Sequence, residues 1–461
     1  MRTLLISGER SGCGKTSITL AISAILAKHM PVQTYKVGMD YIDPSYLTGV
    51  TGRACRNLDS YVLDDDGLRG VYSHAASGAE IGIIEGVRGL YEGADILGDT
   101  GSTASVAKAL GVNVVLVINA KSITRSAAAI VKGFQSFDPE VRIRGVILNN
   151  VTGGRHLEKL KGAIEHYCGI PVIGAVPNMP EMELAMRHLG LVPYREGCED
   201  DAFADRIGFI TRIIEEYIDI DALSSLAEEP ADPGRAHPAF DQKMPVDLKI
   251  GIAYDEAFNF YYADLFDILR AGGAEPVFFS PVHDRLPDAD GYIIGGGYPE
   301  LYADALEHND LMREAVVETS KNTIPIYAEC GGLMYLTRSI TKKAGWQGQT
   351  DESTHLMCGL FPGDTIMPSR RVLGYIEGSS HNGPMGQSYF RGHEFHYSEI
   401  KMDSGQKYAF RLTRGHGISG GDDGILSGNT LGSYAHLHPV SSSGMIQSFI
   451  STCREVSAKR N

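Results

Sequence analysis

The sequence predicts an α/β protein in two parts, each built on a parallel sheet. Two observations carry this. Short apolar, β-branched runs alternate with helical patterns in the first half: residues 3–7, 81–86, 112–119 and 145–150. The same alternation resumes at residues 249–254, 275–280, 291–297 and 324–330. Continuous apolar strands of this kind imply sheets covered on both faces. Between the halves, residues 222–247 hold four prolines (Pro230, Pro233, Pro238, Pro245) and mixed charge, the composition of a linker. The expected organisation is residues 1–222, a linker at 223–247, and residues 248–461.

Bulk composition narrows the function classes. Lys and Arg total 42 against 57 Asp and Glu, a net charge of −15. A nucleic-acid binder would carry a basic excess, so that class is disfavoured. Seven cysteines (13, 55, 168, 198, 330, 358, 453) form no CxxC pair and no close framework. That pattern predicts reduced thiols in a cytoplasmic protein, with no disulfide scaffold and no zinc site. The apolar run opening the chain is too short for a signal segment, and no run is long enough to span a membrane.

The first strand leads into "GERSGCGKTS" at residues 8–17, followed by a helix with Ile18, Ile22 and Ile25 on one face. Strand, glycine-rich loop, G-K-T and helix form the setting of a P-loop. Gly12 and Gly14 let backbone N–H groups face phosphates. Lys15 reaches the β/γ oxygens, and the Thr16 hydroxyl, followed by Ser17, is placed for Mg²⁺. The spacing departs from G-x-x-x-x-G-K-T: Gly8 comes one residue early and Glu9 stands where the first glycine is usual.

The strand at residues 32–37 ends in "KVGMDYIDPSYLTG", which puts Lys36, Asp40, Tyr41 and Asp43 at the sheet's carboxyl edge, where open α/β sheets bind ligands. "IIEGVRGLYEG" at 83–93 brings Glu85 to a third strand end as a direct or water-mediated Mg²⁺ ligand. Arg88 and Glu92 follow in the next loop.

In the second half, "IPIYAECGGLMYL" sets Cys330 between a strand and two glycines. A thiolate on such a turn, at a helix N-terminus, is exposed and activated. The N–H of Gly331 and those of the "GGGYPE" loop, including Gly296, are candidates for an oxyanion hole. A base is available in "GSYAHLHPV", which offers His436 and His438. "RGHEFHYSEI" brings His393, Glu394 and His396 within four residues. Their spacing mimics a metal site but has no third ligand cluster, so a structural or substrate-lining role is favoured.

These segments, with "TRSAAAIVKGF" (124–134) and "GVILNNV" (145–151), resemble the cobyrinic acid a,c-diamide synthase family across residues 1–200 and 249–445. Dethiobiotin synthetase and cobyric acid synthase are wider relatives sharing the shifted P-loop. The resemblance implies an N-terminal dethiobiotin-synthetase-like domain that activates a carboxylate with ATP and Mg²⁺. It implies a C-terminal class I glutamine amidotransferase domain that supplies ammonia from L-glutamine, with a path between the two. Cys330 then aligns with the nucleophile and His436 with the catalytic histidine. His438 stands where most class I members carry the glutamate that orients the imidazole; the cobyrinic acid branch lacks that glutamate, so the orienting group is left open. Lys36 would act at the γ-phosphate or the substrate carboxylate, and Asn149 aligns with the adenine-reading position.

The acceptor implied is a polycarboxylate tetrapyrrole: cobyrinic acid on the cobalamin route, or Ni-sirohydrochlorin on the coenzyme F430 route of methane-forming archaea. Arg88, where bacterial cobyrinate enzymes usually carry an apolar residue, would suit the extra carboxylate of the nickel substrate, or it is simply a structural side chain. Two other classes compete. A cobyric-acid-type synthase would amidate other side chains, and a partitioning-type P-loop protein would have no use for Cys330 and His436. A homodimer is compatible with either ligase reading.

Overall fold

The computed structural model describes residues 1–182, 186–187, 190–191 and 201–460. The chain divides into two compact units, Met1–His237 and Pro238–Asn461.

The first unit alternates strand and helix: β1 (Arg2–Gly8), α1 (Lys15–Ala27), β2 (Val32–Val37), α2 (Ile42–Thr51), β3 (Arg56–Leu58), α3 (Asp65–Ala76), β4 (Ile81–Gly89), α4 (Thr103–Leu110), β5 (Asn113–Asn119), α5 (Ser126–Phe137), β6 (Ile143–Val151), α6 (Gly154–Cys168) and β7 (Val172–Pro177). A further helix, α7, covers Asp201–Tyr217. The strands form one parallel sheet in the order β3-β2-β4-β1-β5-β6-β7. Strands buried on both faces need no polar alternation, and β1 and β5 are accordingly near-continuous runs of Leu, Ile and Val. Register decides the chemistry. Glu85 of β4 lies opposite Ile6 of β1 on one side and Lys36 of β2 on the other. Three strand ends therefore meet at one point of the carboxyl edge.

The stretch rich in prolines does not leave the first unit at once. Glu228 exchanges backbone hydrogen bonds with Thr3 at 2.8 and 3.3 Å. His237 packs so closely on α3 that a Cβ at Gly70 would lie 2.8 Å from the His237 Cβ.

The second unit is built on β8 (Leu248–Ala253), β9 (Ala274–Phe279), β10 (Gly291–Ile294), β11 (Ile326–Glu329), β12 (Val372–Ser380), β13 (Ser388–His396), β14 (Tyr408–Arg414), β15 (Asp422–Ser427), β16 (Thr430–Ser433) and β17 (His436–Leu437). They form one sheet ordered β9-β8-β10-β11-β16-β15-β14-β12-β13-β17. The five strands from β9 to β16 are parallel, as expected. The other half is antiparallel, which the expectation of a parallel sheet did not include. The reason lies in the connections. From residue 363 to 437 the chain is strand after strand joined by short turns, and a short turn returns the chain antiparallel, whereas a parallel return needs a crossover. The core, including Leu333, Tyr335, Phe361 and Ile425, packs around the short helix α8 (Gly331–Leu336), which begins at the Cys330 turn.

No helix among the described residues is long and apolar enough to cross a membrane.

Candidate active site

The loop between β1 and α1 turns on two glycines. Gly12 and Gly14 hold φ of +76° and +92°, values open to glycine at little cost. Gly14 also admits a neighbour: a Cβ there would lie 2.1 Å from Asn149 Nδ2. Asn149 Nδ2 donates to the Cys13 carbonyl at 2.9 Å, and its Oδ1 accepts the Asn150 N–H at 3.0 Å. The Nδ2 end of the amide thus braces the loop, while the Oδ1 end holds the neighbouring backbone of β6. Glu9, in the usual glycine position, turns sideways and accepts the Asn119 N–H at 3.2 Å. Its carboxylate therefore braces the end of β5, and the loop keeps its glycines at Gly12 and Gly14. Ser17 donates to the Met182 carbonyl at 3.1 Å.

Directly beyond the loop lies a buried charge cluster. Lys15 Nζ and Thr16 Oγ1 both donate to Glu85 Oε1 at 2.8 Å, and Lys36 Nζ stands 3.0 Å from the same oxygen. Lys36 also pairs closely with Asp43, and its Nζ lies 3.9 Å from Asp40 Oδ2. Thr16 Oγ1 is 3.4 Å from Asp43 Oδ2. Asp40 also starts α2, since its Oδ1 accepts the N–H groups of Ile42 and Asp43. Tyr41, at the same helix start, has its hydroxyl buried.

Three carboxylates face two ammonium groups here, and the imbalance shows in their proton affinities. Burial opposes ionisation of Glu85, but Lys15 and Lys36 outweigh it and hold the carboxyl at about 2. Burial of Asp43 outweighs its contact with Lys36 and, with Glu85 and Asp40 nearby, pushes it up to about 7. Burial disfavours the Lys36 ammonium, yet Asp43, Glu85 and Asp40 keep it charged well above the usual range. Glu85 Oε2 is fully buried and has no hydrogen-bond partner among the described residues. An all-oxygen set of Thr16, Asp43 and Glu85 with an orphaned, ionised carboxylate oxygen suits Mg²⁺.

Arg88 and Glu92 lie apart from this cluster. Arg88 is exposed at the end of β4 with φ of +50°, an uncommon conformation for a residue with a side chain. Glu92 Oε2 accepts the Gly89 N–H at 2.6 Å, closing its own loop.

In the second unit Cys330 sits on a sharp elbow between β11 and α8, at φ +46° and ψ −96°. The elbow is anchored by Cys330 N–H donating to the Ser433 carbonyl at 2.7 Å. Close backbone approach surrounds it: a Cβ at Gly332 would lie 2.1 Å from the Ile294 carbonyl oxygen, and one at Gly331 would lie 3.0 Å from Gly297 N. Gly331 is therefore beside the Gly296–Gly297 strand. Gly296 abuts the candidate base, since a Cβ there would lie 2.6 Å from His436 Cε1. Burial disfavours charging His436, but the Cys330 sulfur and the Glu329 carboxylate outweigh burial and hold the imidazolium up to about 10.

Several supporting residues escaped the reading of the sequence. Asp423 accepts from Ser433 Oγ at 2.7 Å and from the Tyr434 and Ala435 N–H groups at 3.1 Å, pinning the turn that presents His436. Nothing in "GDDGIL" distinguishes it from an ordinary turn aspartate. Glu329 lies 3.4 Å from His436 Nδ1. The histidines of "RGHEFH" gain a place: His393 stacks on His436 at 4.9 Å, and His396 stacks on Tyr434 at 3.7 Å. Glu394 accepts the His416 and Gly417 N–H groups at 2.9 and 2.6 Å, far from the metal role its spacing mimics. His438 is fully buried against Tyr262 and Asp264, its Nε2 3.9 Å from Asp264 Oδ2.

Comparison with known proteins adds to this geometry. Residues 4–192 match the CobQ/CobB/MinD/ParA nucleotide binding domain, and residues 249–443 the CobB/CobQ-like glutamine amidotransferase domain. A protein of Methanosarcina acetivorans named cobyrinate a,c-diamide synthase is 50% identical over 99% of this chain and 96% of its own length. Proteins of the same name from Methanosarcina barkeri and Methanothermobacter thermautotrophicus are 48% and 45% identical, over 98% and 95% of this chain and 96% of each relative.

Proposed function

The chain belongs to the cobyrinate a,c-diamide synthase family, and from that premise we propose that it amidates the a and c acetate carboxylates of a polycarboxylate tetrapyrrole, using ATP and glutamine. Residues 1–222 are the ATP-dependent ligase part and residues 248–461 the glutaminase part. The observation that carries the reading is Cys330 on its elbow against His436, in a chain whose other half holds the Lys15–Thr16–Glu85 cluster.

The glutaminase half would work as follows. The Cys330 thiolate attacks the glutamine side-chain carbonyl, with Gly331 and Gly296 N–H groups stabilising the oxyanion. His436 gives its proton to the departing nitrogen, the C–N bond breaks, and ammonia leaves a thioester. Water then adds, its proton returning to His436, and glutamate departs.

A free carboxylate resists ammonia because its oxygen is a poor leaving group. Transfer of the γ-phosphoryl group makes it an acyl phosphate, which ammonia attacks with release of phosphate. Lys15 moves from Glu85 to the β/γ oxygens, and Lys36 balances charge at the γ-phosphate or the acceptor carboxylate. Thr16, Asp43 and Glu85 would hold Mg²⁺, which supplies charge neutralisation on the phosphates. The unpaired state of the six described cysteines supports a reducing, cytoplasmic setting.

Cobyrinic acid is the acceptor in the relatives' names. Ni-sirohydrochlorin is a second reading, favoured by the exposed Arg88 near the carboxyl end of β4, the strand that also carries Glu85, since a guanidinium suits a further carboxylate. The test is mass spectrometry of reactions with ATP, Mg²⁺ and glutamine, each acceptor offered separately. Amidation exchanges OH for NH₂, so mono- and diamides are read directly. Cys330→Ala should abolish product from glutamine and keep product from free ammonia. Diamide from neither acceptor, with glutaminase activity intact, would overturn the acceptor class.

A further inference from the structure

A catalytic imidazole needs an acceptor at the nitrogen that does not face the nucleophile. The acceptor fixes the tautomer and orientation, and it stabilises the imidazolium. The position that carries this glutamate in other class I amidotransferases is His438, which is buried elsewhere: Nδ1 accepts the Val440 N–H at 3.3 Å and the ring lies against Tyr262.

Another carboxylate occupies the vacant role. Glu329 is the last residue of β11, one position before the nucleophile. The elbow at Cys330 turns the chain, so neighbours in sequence address the same imidazole from different directions. Glu329 Oε2 lies 3.4 Å from His436 Nδ1, an ion-pair separation. Its other oxygen is held in place: Oε1 accepts the Tyr327 hydroxyl at 2.6 Å and lies 3.4 Å from the Leu437 N–H. Tyr327 and Glu329 share a face of β11 by strand alternation, so the tyrosine is a built-in brace. Parallel pairing of β11 with β16 sets Glu329 opposite Ser433, three residues before His436. The imidazole is 1% exposed and the carboxylate 12%, so water screens the pair little.

We propose that Glu329 is the positioning carboxylate of the glutaminase, completing a Cys330–His436–Glu329 relay in which the acid immediately precedes the nucleophile. Glu329 keeps His436 Nδ1 protonated and leaves Nε2 to exchange a proton with the substrate nitrogen. This rests on the glutaminase reading above, and the assays separate the two: a wild-type chain that releases no glutamate from glutamine would sink that reading and this one with it, whereas an active wild type matched by the Glu329 variant would sink this one alone.

The test uses Glu329→Gln in the full chain. Glutamine keeps the shape and an amide oxygen for Tyr327 and Leu437, so a purely structural role survives it; the charge facing His436 does not. Glutamine-dependent turnover should fall on the order of 100-fold, mostly in kcat, while ammonia-dependent diamide formation stays within about twofold. The pH at which iodoacetamide alkylation of Cys330 becomes fast should rise by about one unit or more, since the imidazolium partner of the thiolate is weakened. Unchanged glutaminase kcat and an unchanged alkylation profile would overturn the proposal. If ammonia-dependent synthesis collapses as well, Tyr327→Phe decides. It removes the brace and keeps the charge. A glutaminase loss confined to that half supports the role of Glu329, and no loss rejects it.

Discussion

Lys36 is the most informative residue to remove. Its ammonium, 2% exposed, meets Asp43, Glu85 and Asp40. Among the described residues, Lys36→Met would leave Lys15 as the sole cation facing three carboxylates. Removing one partner of a buried pair costs about 3–5 kcal/mol. The lower end is expected, because Asp43 already sits at about 7 and can take up a proton in place of its lost partner. About 3 kcal/mol corresponds to a drop of roughly 6–12 °C for a unit of this size. The pH dependence follows from linkage. Below pH 7 the folded wild type and the variant both carry protonated Asp43, so the stability gap is flat. Above pH 7 the wild type releases that proton and the variant does not. Each further unit then widens the gap by about 1.4 kcal/mol until the variant's Asp43 also ionises. Differential scanning calorimetry of the full chain measures this on the transition that ATP with Mg²⁺ shifts. Ammonia-dependent diamide formation should fall at least about 100-fold, the usual loss for one preorganised charge at a transferring group. A transition lowered by less than about 2 °C at pH 7, or a gap that narrows between pH 7 and 8, would refute the picture of Lys36 as the counter-charge of this cluster.

Three other outcomes are expected. Gly296→Ala would push a methyl to 2.6 Å from His436 Cε1, inside a site that is 1% exposed at the imidazole; glutamine-dependent product should fall at least about 100-fold with ammonia-dependent product retained, read by mass spectrometry. Arg88→Gly should relieve the φ of +50° and raise stability by about 0.5–1 kcal/mol in denaturant titrations. The same variant should raise KM for the tetrapyrrole by about tenfold while the Kd for ATP stays constant. Asp43 has a raised affinity for its proton, so binding of ATP with Mg²⁺ should release close to one proton at pH 6 and almost none at pH 8. Calorimetry in buffers of different ionisation enthalpy reads this directly, and equal release at both pH values would contradict Asp43 as a ligand.

The sequence by itself determined the parts whose chemistry is local. A P-loop is strand, glycine turn, lysine and helix in one continuous stretch, so Gly12, Gly14, Lys15 and Thr16 are legible without a partner. The Cys330 elbow is legible for the same reason, since two glycines directly after a cysteine at a strand end permit the tight turn and close backbone approach that such an elbow needs. The alternation of apolar runs likewise declared two parallel-sheet cores. Tertiary structure decided what depends on register across strands. Lys36 and Glu85 are 49 positions apart and become direct neighbours only because β2 and β4 pair in that register. Glu329 and His436 meet across 107 positions because β11 lies beside β16, and Asp423 matters only because β15 delivers it beneath the same turn. The antiparallel half of the second sheet was hidden for a related reason. Its strands, such as Val372–Ser380, interrupt their apolar residues with glycine, serine and glutamate, and their pairing is set by turns and neighbours more than by their own composition. Local conformational preference is written in adjacent residues; the orientation of a catalytic imidazole is written in a hydrogen-bonding register, which exists only once the sheet has formed.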